Sequence, residues 1–212
     1  MKIKDILYGE FNIEEKVIID LLKSKPMERI KHVSQQGIPK EFAFNKRAAT
    51  SRYEHCVGVM LLLRKLDAPL EEQVSGLLHD VSHTPFSHTI DMVLGDYSKQ
   101  SIQDSLHKKY FQHGEIPYIL KANGFIPSRI MKEELFKLLE RKAPALCADR
   151  VDYSLRDAAY LKISNAKELA KHIIVHKNEI MYDSKKYAIE YGKLFVEQLE
   201  KSYYYSKKRS GH

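Results

Sequence analysis

The sequence has no tryptophan, two cysteines and nine glycines in 212 residues. Nowhere is there an apolar run long enough to span a bilayer, which excludes a helical membrane protein on sequence grounds. The opening Met1-Lys2-Ile3-Lys4-Asp5 has no apolar core of a secretory signal, so a cytoplasmic location is expected. Cys56 and Cys147 both fall in apolar, helix-patterned surroundings, and two such residues are expected to be buried free thiols, not a disulfide. Internal repeats, low-complexity tracts and linkers are also lacking, which excludes solenoids and tethered modules and leaves one domain over residues 1–212. Its core is expected over about 27–160, with a C-terminal hairpin and helix at about 172–205.

What is present is mostly helical patterning. Apolar spacing predicts helices over 14–24, 27–34, 51–66, 70–81, 99–113, 115–122, 129–140, 143–159, 166–171 and 188–205. Gly37 to Thr50 reads as a loop, and Thr84-Pro85 as the start of a helix running through His88 and Asp91 to Gly95. One stretch differs: Ile173–His176 and Glu179–Tyr182 flank Lys177-Asn178, the pattern of a small β-hairpin. The expected fold class is therefore all-α, a helical bundle with a small hairpin near the C-terminus. The net charge of +7 suits an anionic ligand, although the Lys207-Lys208-Arg209 run fits a solvated tail equally well.

Against this background, four residues have unusual chemistry for their setting. His79 and Asp80 are adjacent at the end of one predicted helix, His55 lies on another and Asp149 on a third. Neighbours on a helix project about 100° apart, so His79 and Asp80 share an ion only if it sits beside the helix end, which the break at Ser82–Pro85 supplies. Imidazoles and carboxylates together suit Mn, Fe, Co, Ni or Zn better than Ca, and four protein ligands leave open positions for water and a phosphate oxygen. A single histidine on an apolar face is usually a core or surface residue. Two imidazoles and two acids in apolar surroundings together need partners or a metal. A second polar group comprises His83, His88, Asp91 and His107: His88 and Asp91 lie i,i+3, and Asp91 is a candidate partner for His107.

These residues fall in three long runs. Ser51–Val59 contains R-Y-E-H-C-V-G-V, Gly76–His88 reads G-L-L-H-D-V-S-H-T-P-F-S-H, and Asp149–Asp157 reads D-R-V-D-Y-S-L-R-D. The chain resembles the HD superfamily of metal-dependent phosphohydrolases, and within it the deoxynucleoside triphosphate triphosphohydrolase branch. The resemblance implies that His55, His79, Asp80 and Asp149 hold one divalent transition metal, with Mg allowed beside the substrate phosphates. It implies that His83 and His88 face the phosphates, with Asp91 and His107 supporting proton transfer. Arg52 and Arg150 would contact phosphate, Tyr153 and Asp157 would line the sugar pocket, and Gln35 would lie near sugar or base. The implied reaction gives a nucleoside and triphosphate, and the implied assembly is a dimer or larger. Gln36 stands where mammalian members carry an apolar sugar-gating residue, and Val196–Glu200 lacks the basic phosphate contact expected in the last helix. A monophosphatase or phosphodiesterase on the same core is the alternative reaction. A non-catalytic regulator that binds nucleotides or nucleic acid is the alternative of another class, nucleic acid being the less favoured ligand.

Overall fold

The computed structural model describes residues 1–35, 37, 50–87, 101–162 and 165–209. It opens on a hairpin that the sequence pattern does not announce: β1 (Lys2–Asp5) pairs antiparallel with β2 (Gly9–Asn12), Ile3 opposite Phe11. Asp5 makes the turn, its Oδ1 accepting the amides of Leu7 (2.8 Å) and Tyr8 (3.1 Å). Two short helices follow, α1 (Lys16–Leu22) and α2 (Lys25–Ile30). Pro26 sits in the first turn of α2, where its missing N–H costs nothing.

The central helix is α3 (Arg52–Lys65). Ser51 and Glu54 form a reciprocal cap: the Ser51 hydroxyl accepts the Glu54 amide and Glu54 accepts the Ser51 amide at 2.8 Å. This helix is buried on nearly all sides from His55 to Leu63, as a helix apolar all round must be. One face packs with α1, α2, α4 (Leu70–Leu78) and α6 (Glu115–Ala122) through Ile18, Met27, Met60 and Leu77. The other packs through Val59, Leu62 and Leu63 on α8 (Ala148–Leu161), α9 (Ala166–Lys171) and α10 (Lys185–Arg209). Cys56 and Cys147 are both buried and free.

α5 (Ser101–Gln112) leads into α6. Beyond α6 two helix predictions need correction. Residues 129–140 are not one helix: α7 (Pro127–Ile130) stops, and a single 3-10 turn (Glu133–Leu135) follows. The chain then bends so that the amides of Leu138 and Leu139 reach the buried carboxylate of Glu72 at 2.7 and 3.0 Å. Those amides find a side chain on α4 in place of helical carbonyls. The helix expected from residue 143 begins at Ala148, and Arg150 captures the carbonyls of Arg141 and Ala145 in the loop before it.

The C-terminal hairpin, β3 (Ile173–His176) with β4 (Glu179–Tyr182), forms as expected, with Lys177 and Asn178 at φ +50° and +60° in its turn. The last helix runs longer than 188–205. The class is all-α, as the periodicity implies, with the N-terminal hairpin added to the expected C-terminal one. Gln36, most of the expected 37–50 loop, and His88 and Asp91 lie outside the described residues, but the helix start expected at Thr84-Pro85 needs correction: the chain makes a tight turn there, the Ser87 amide bonding the Thr84 carbonyl at 2.9 Å with Ser87 at φ +48°. Among the described residues no helix is long and apolar enough to cross a membrane.

Candidate metal centre

α4 ends at Leu78 and the chain turns through His79–Ser82 with i→i+3 bonds, Val81 to Leu78 and His83 to Asp80. Arg29 from α2 stops the helix from continuing: its guanidinium donates to the carbonyls of Val81 (2.7 Å) and His83 (2.8 Å). The turn therefore presents His79 and Asp80 to one side, where His55 from α3 and Asp149 from the first turn of α8 arrive.

The four side chains converge. His55 Nε2 lies 3.2 Å from His79 Nε2 and 2.9 Å from Asp149 Oδ1. His79 Nε2 lies 3.5 Å from Asp149 Oδ1, and Asp80 Oδ2 lies 3.8 Å from His55 Nε2 and 3.7 Å from His79 Nε2. Donors at the usual 2.0–2.1 Å from one ion, at right angles to each other, are about 3.0 Å apart, so this spacing is of the right order for a shared metal. His55, His79 and Asp80 each offer a ligand atom within 4.8 Å of the others.

The ring tautomers give the sharper test. His79 Nδ1 lies 2.7 Å from the Gly76 carbonyl, which can only accept, so that nitrogen carries the hydrogen. His55 Nδ1 lies 2.8 Å from Asp152 Oδ2, and Asp152 is held ionised: burial alone would raise its pKa, but Arg156 lowers it further. His55 Nδ1 therefore also carries its hydrogen. Two neutral rings then point bare Nε2 lone pairs at each other across 3.2 Å. That contact is repulsive unless a cation lies between them, either a proton or a metal ion. Burial pushes the His55 pKa down, yet the bonds to Asp149 and Asp152 outweigh it and raise it to about 9. Burial pushes Asp149 up, but His55 and His79 hold it well below the carboxylate range. For Asp80, His79, Arg52 and His83 likewise overcome burial. Four donors arranged to hold positive charge fit a divalent transition metal.

Behind His55 stands a chain of charges. Arg156 donates to Asp152 through Nε (2.9 Å) and Nη2 (2.8 Å), and through Nη1 to Asp5 in the N-terminal hairpin (2.9 Å). Gly58 makes room for it: a Cβ there would stand 1.9 Å from Arg156 Nη2 and 2.3 Å from Asp152 Oδ1. Gly76 does the same for packing between α3 and α4, where a Cβ would meet Leu63 at 2.6 Å. The glycines of the first two sequence runs thus keep the backbones close enough to aim the ligands.

The remaining candidates divide. His83 Nε2 lies 2.9 Å from Asp80 Oδ1, on the carboxylate edge away from the two ligand imidazoles. Arg52 is buried in an ion pair with Asp80 Oδ2 and donates through Nε to Ser87 (3.1 Å) and through Nη2 to the Gln35 carbonyl (3.4 Å). It orients a ligand, and Gln35 meets it through backbone. Tyr153 and Asp157 follow Asp149 at four-residue steps, one row along α8. Burial raises the Asp157 pKa to about 6. Arg150 is not brought to the centre as a phosphate clamp. Its donors go to Ala145 (2.6 Å), Arg141 (3.1 Å) and Glu140 (3.4 Å), so it fixes the loop before α8. His107 is partly buried beside Ser82, its Nδ1 3.2 Å from Ser82 Oγ. His88 and Asp91 lie outside the described residues. Sequence reasoning missed Asp152 as the partner of His55, although it stands in the third run, and missed Glu133, which nothing in its local pattern marks.

The HD domain family model matches residues 52–181, which contain all four candidate ligands. A protein of Cordyceps militaris named metal-dependent phosphohydrolase cns2 is 40% identical over 74% of this chain and 44% of its own length. A Dictyostelium discoideum protein named deoxynucleoside triphosphate triphosphohydrolase SAMHD1 homolog is 28% identical over 75% of this chain and 36% of its own. The crystal structure of a hypothetical protein from Aquifex aeolicus shares the fold, with a TM-score of 0.67, 24% identity, and coverage of 96% of this chain and 58% of that one. The chain thus spans about half, or less, of the length of the curated relatives it matches. With the motif runs, the converging histidines and aspartates and this match in agreement, the chain belongs to the HD-domain family.

Proposed function

We propose that the protein is a metal-dependent nucleotide phosphohydrolase, with deoxynucleoside triphosphates as favoured substrates and nucleoside and triphosphate as products. The observation that carries the reading is the pair of inward Nε2 lone pairs 3.2 Å apart, flanked by the Asp80 and Asp149 carboxylates. His55, His79, Asp80 and Asp149 would hold the ion, which when bound supplies Lewis acidity and a water of lowered pKa. Gly76 and Asp152 keep both imidazoles in the metal-binding tautomer. Arg52 and His83 hold the two oxygens of Asp80, so that one edge faces the ligand histidines. On the substrate side, His83 and His88 are assigned to the phosphates, with Asp91 and His107 supporting proton transfer. Tyr153, Asp157 and Gln35 are assigned to the sugar and base. The favoured deoxynucleotide rests on the motif runs and on the name carried by the Dictyostelium relative.

The test uses the purified, metal-analysed chain and a panel of nucleotides with the phosphate product identified. Free triphosphate supports the reading. Orthophosphate moves it to the monophosphatase chemistry of the same core, and a phosphomonoester released from a diester moves it to the phosphodiesterase chemistry. Salt-sensitive nucleotide or oligonucleotide binding without turnover replaces it with the non-catalytic regulator. A dimer or larger is proposed for the assembly, and sedimentation at assay concentration checks it.

A further inference from the structure

We infer that Glu133 is a positioning residue for this chemistry: its carboxyl faces the partly buried imidazole of His107 and fixes which ring nitrogen carries the hydrogen. The inference rests on the phosphohydrolase reading, since His107 acts there only if the site turns over.

Three elements meet at this point. Ser82 comes from the turn after α4, His107 from α5 and Glu133 from the 3-10 turn after α7. His107 Nδ1 lies 3.2 Å from Ser82 Oγ, and its Nε2 lies 3.6 Å from Glu133 Oε1. Phe111 packs on the ring with centroids 4.8 Å apart. Among the described residues His107 Nε2 is shut off from solvent without a hydrogen bond, and the carboxyl that approaches it there is that of Glu133. Contacts of this kind are often long in the empty enzyme and shorten when substrate binds.

The Ser82 hydroxyl donates or accepts equally well, so it cannot choose the tautomer. An ionised Glu133 only accepts, which places the hydrogen on Nε2. A protonated Glu133 donates to Nε2, which moves the ring hydrogen to Nδ1, facing Ser82. Burial raises the Glu133 pKa to about 7 and lowers that of His107 to about 4. Besides each other, the charged groups near Glu133 are His79, Asp80, Asp149 and Glu140, and those near His107 are His79, Asp80 and His83. At neutral pH the ring is therefore uncharged, and its tautomer follows the carboxyl. The reading as a helix over 129–140 hid this residue, because a helix would have carried Glu133 on a turn of its own instead of on the bend that meets α5.

The experiment uses the full metal-loaded chain and compares wild type with Glu133→Gln and Glu133→Ala. Turnover on deoxynucleoside triphosphate is measured across pH. Nitrogen NMR of histidine-labelled, metal-free protein reads the His107 tautomer without substrate. Wild type should show a tautomer change near neutral pH, and E133Q should abolish it while keeping metal content. E133A should lose about tenfold or more in kcat, with KM much less affected. If E133A fails to fold, the near-isosteric E133Q carries the test alone. An unchanged His107 tautomer profile in E133Q overturns the inference, as does unchanged kcat in an active enzyme. A wild type with no hydrolysis overturns the function proposed above. Its tautomer profile would still show whether Glu133 governs His107.

Discussion

The two walls beside the candidate ligands are built differently. On the wall made by α3, α8 and the turn after α4, three of the four candidate ligands are held from behind. Asp152 and Arg156 brace His55, the Gly76 carbonyl braces His79, and Arg52 with His83 braces Asp80. On the opposite wall, His107 has one good contact and one that falls short, at 3.6 Å from Glu133. A metal site needs fixed donors before the ion arrives, whereas an acid–base pair has to let a proton change sides. The contrast is what those two tasks require of a site made by packed helices.

The strongest way to break the comparison is to remove a ligand. His79→Ala or Asp80→Ala should eliminate bound metal and turnover together, while the helices keep their own apolar faces and the helical circular dichroism persists. Metal analysis and assay check this, and full turnover in either variant would refute the ligand assignment. Next comes the bracing. Asp152→Ala leaves the nearly buried Arg156 without its bidentate partner and frees the His55 tautomer. Breaking a buried pair this way costs about 3–5 kcal/mol of stability. Lost bracing of a ligand costs about 10–100-fold in metal affinity. Melting and metal titration measure the two separately. Gly58→Ala should injure the same brace, since its Cβ would collide with Arg156 at 1.9 Å.

Why the firm wall was legible in the sequence, and the loose one was not, follows from where the contacts lie. The ligands sit inside contiguous runs whose glycines and histidines have local tasks, so spacing alone places them on three helices. The hairpin at Lys177-Asn178 was equally visible, because its turn chemistry is local. The brace on His55 was not, since nothing in the third run marks which of its aspartates meets the ring's Nδ1, and the Asp5–Arg156 bond behind it spans 151 residues. The N-terminal hairpin was missed because its four-residue strands are short and mostly polar, with Ile3, Asp5 and Phe11 set partly inward. The resemblance implied a phosphate contact for Arg150, but a motif position does not say where a guanidinium turns, and its two terminal nitrogens donate to loop carbonyls.

A pH series sharpens the comparison more gently. In metal-free protein the His55 pKa stands at about 9, above its ordinary 6.5. A group raised on folding contributes stability that is fully present below its unfolded pKa and is lost as pH rises through the folded value. The metal-free protein should therefore lose melting temperature between about pH 6.5 and 9. Bound metal takes the proton's place, so the loaded protein should lack that decline. Parallel melting curves across this range, with and without metal, would show it. Identical pH slopes for the two forms would mean that proton and metal do not compete for the same lone pairs.

The smallest effect is expected at a tie that only looks important. Arg129 Nε on α7 lies 2.6 Å from Glu71 Oε1 on α4, and α7 leads directly into the turn that carries Glu133. The pair is exposed, with the arginine side chain 54% accessible, so water and salt screen most of its attraction. Ile130 beside it is fully buried, and the adjacent Glu72 already holds the chain at Leu138 and Leu139. Arg129→Ala should thus cost no more than about 1 kcal/mol and leave kcat and its pH profile unaltered. If the variant instead reproduced the pH change of E133Q, the turn would be held in place by this exposed ion pair. The placement of Glu133 against His107 would then depend on a screened surface contact, and the loose wall would be looser than its buried packing implies.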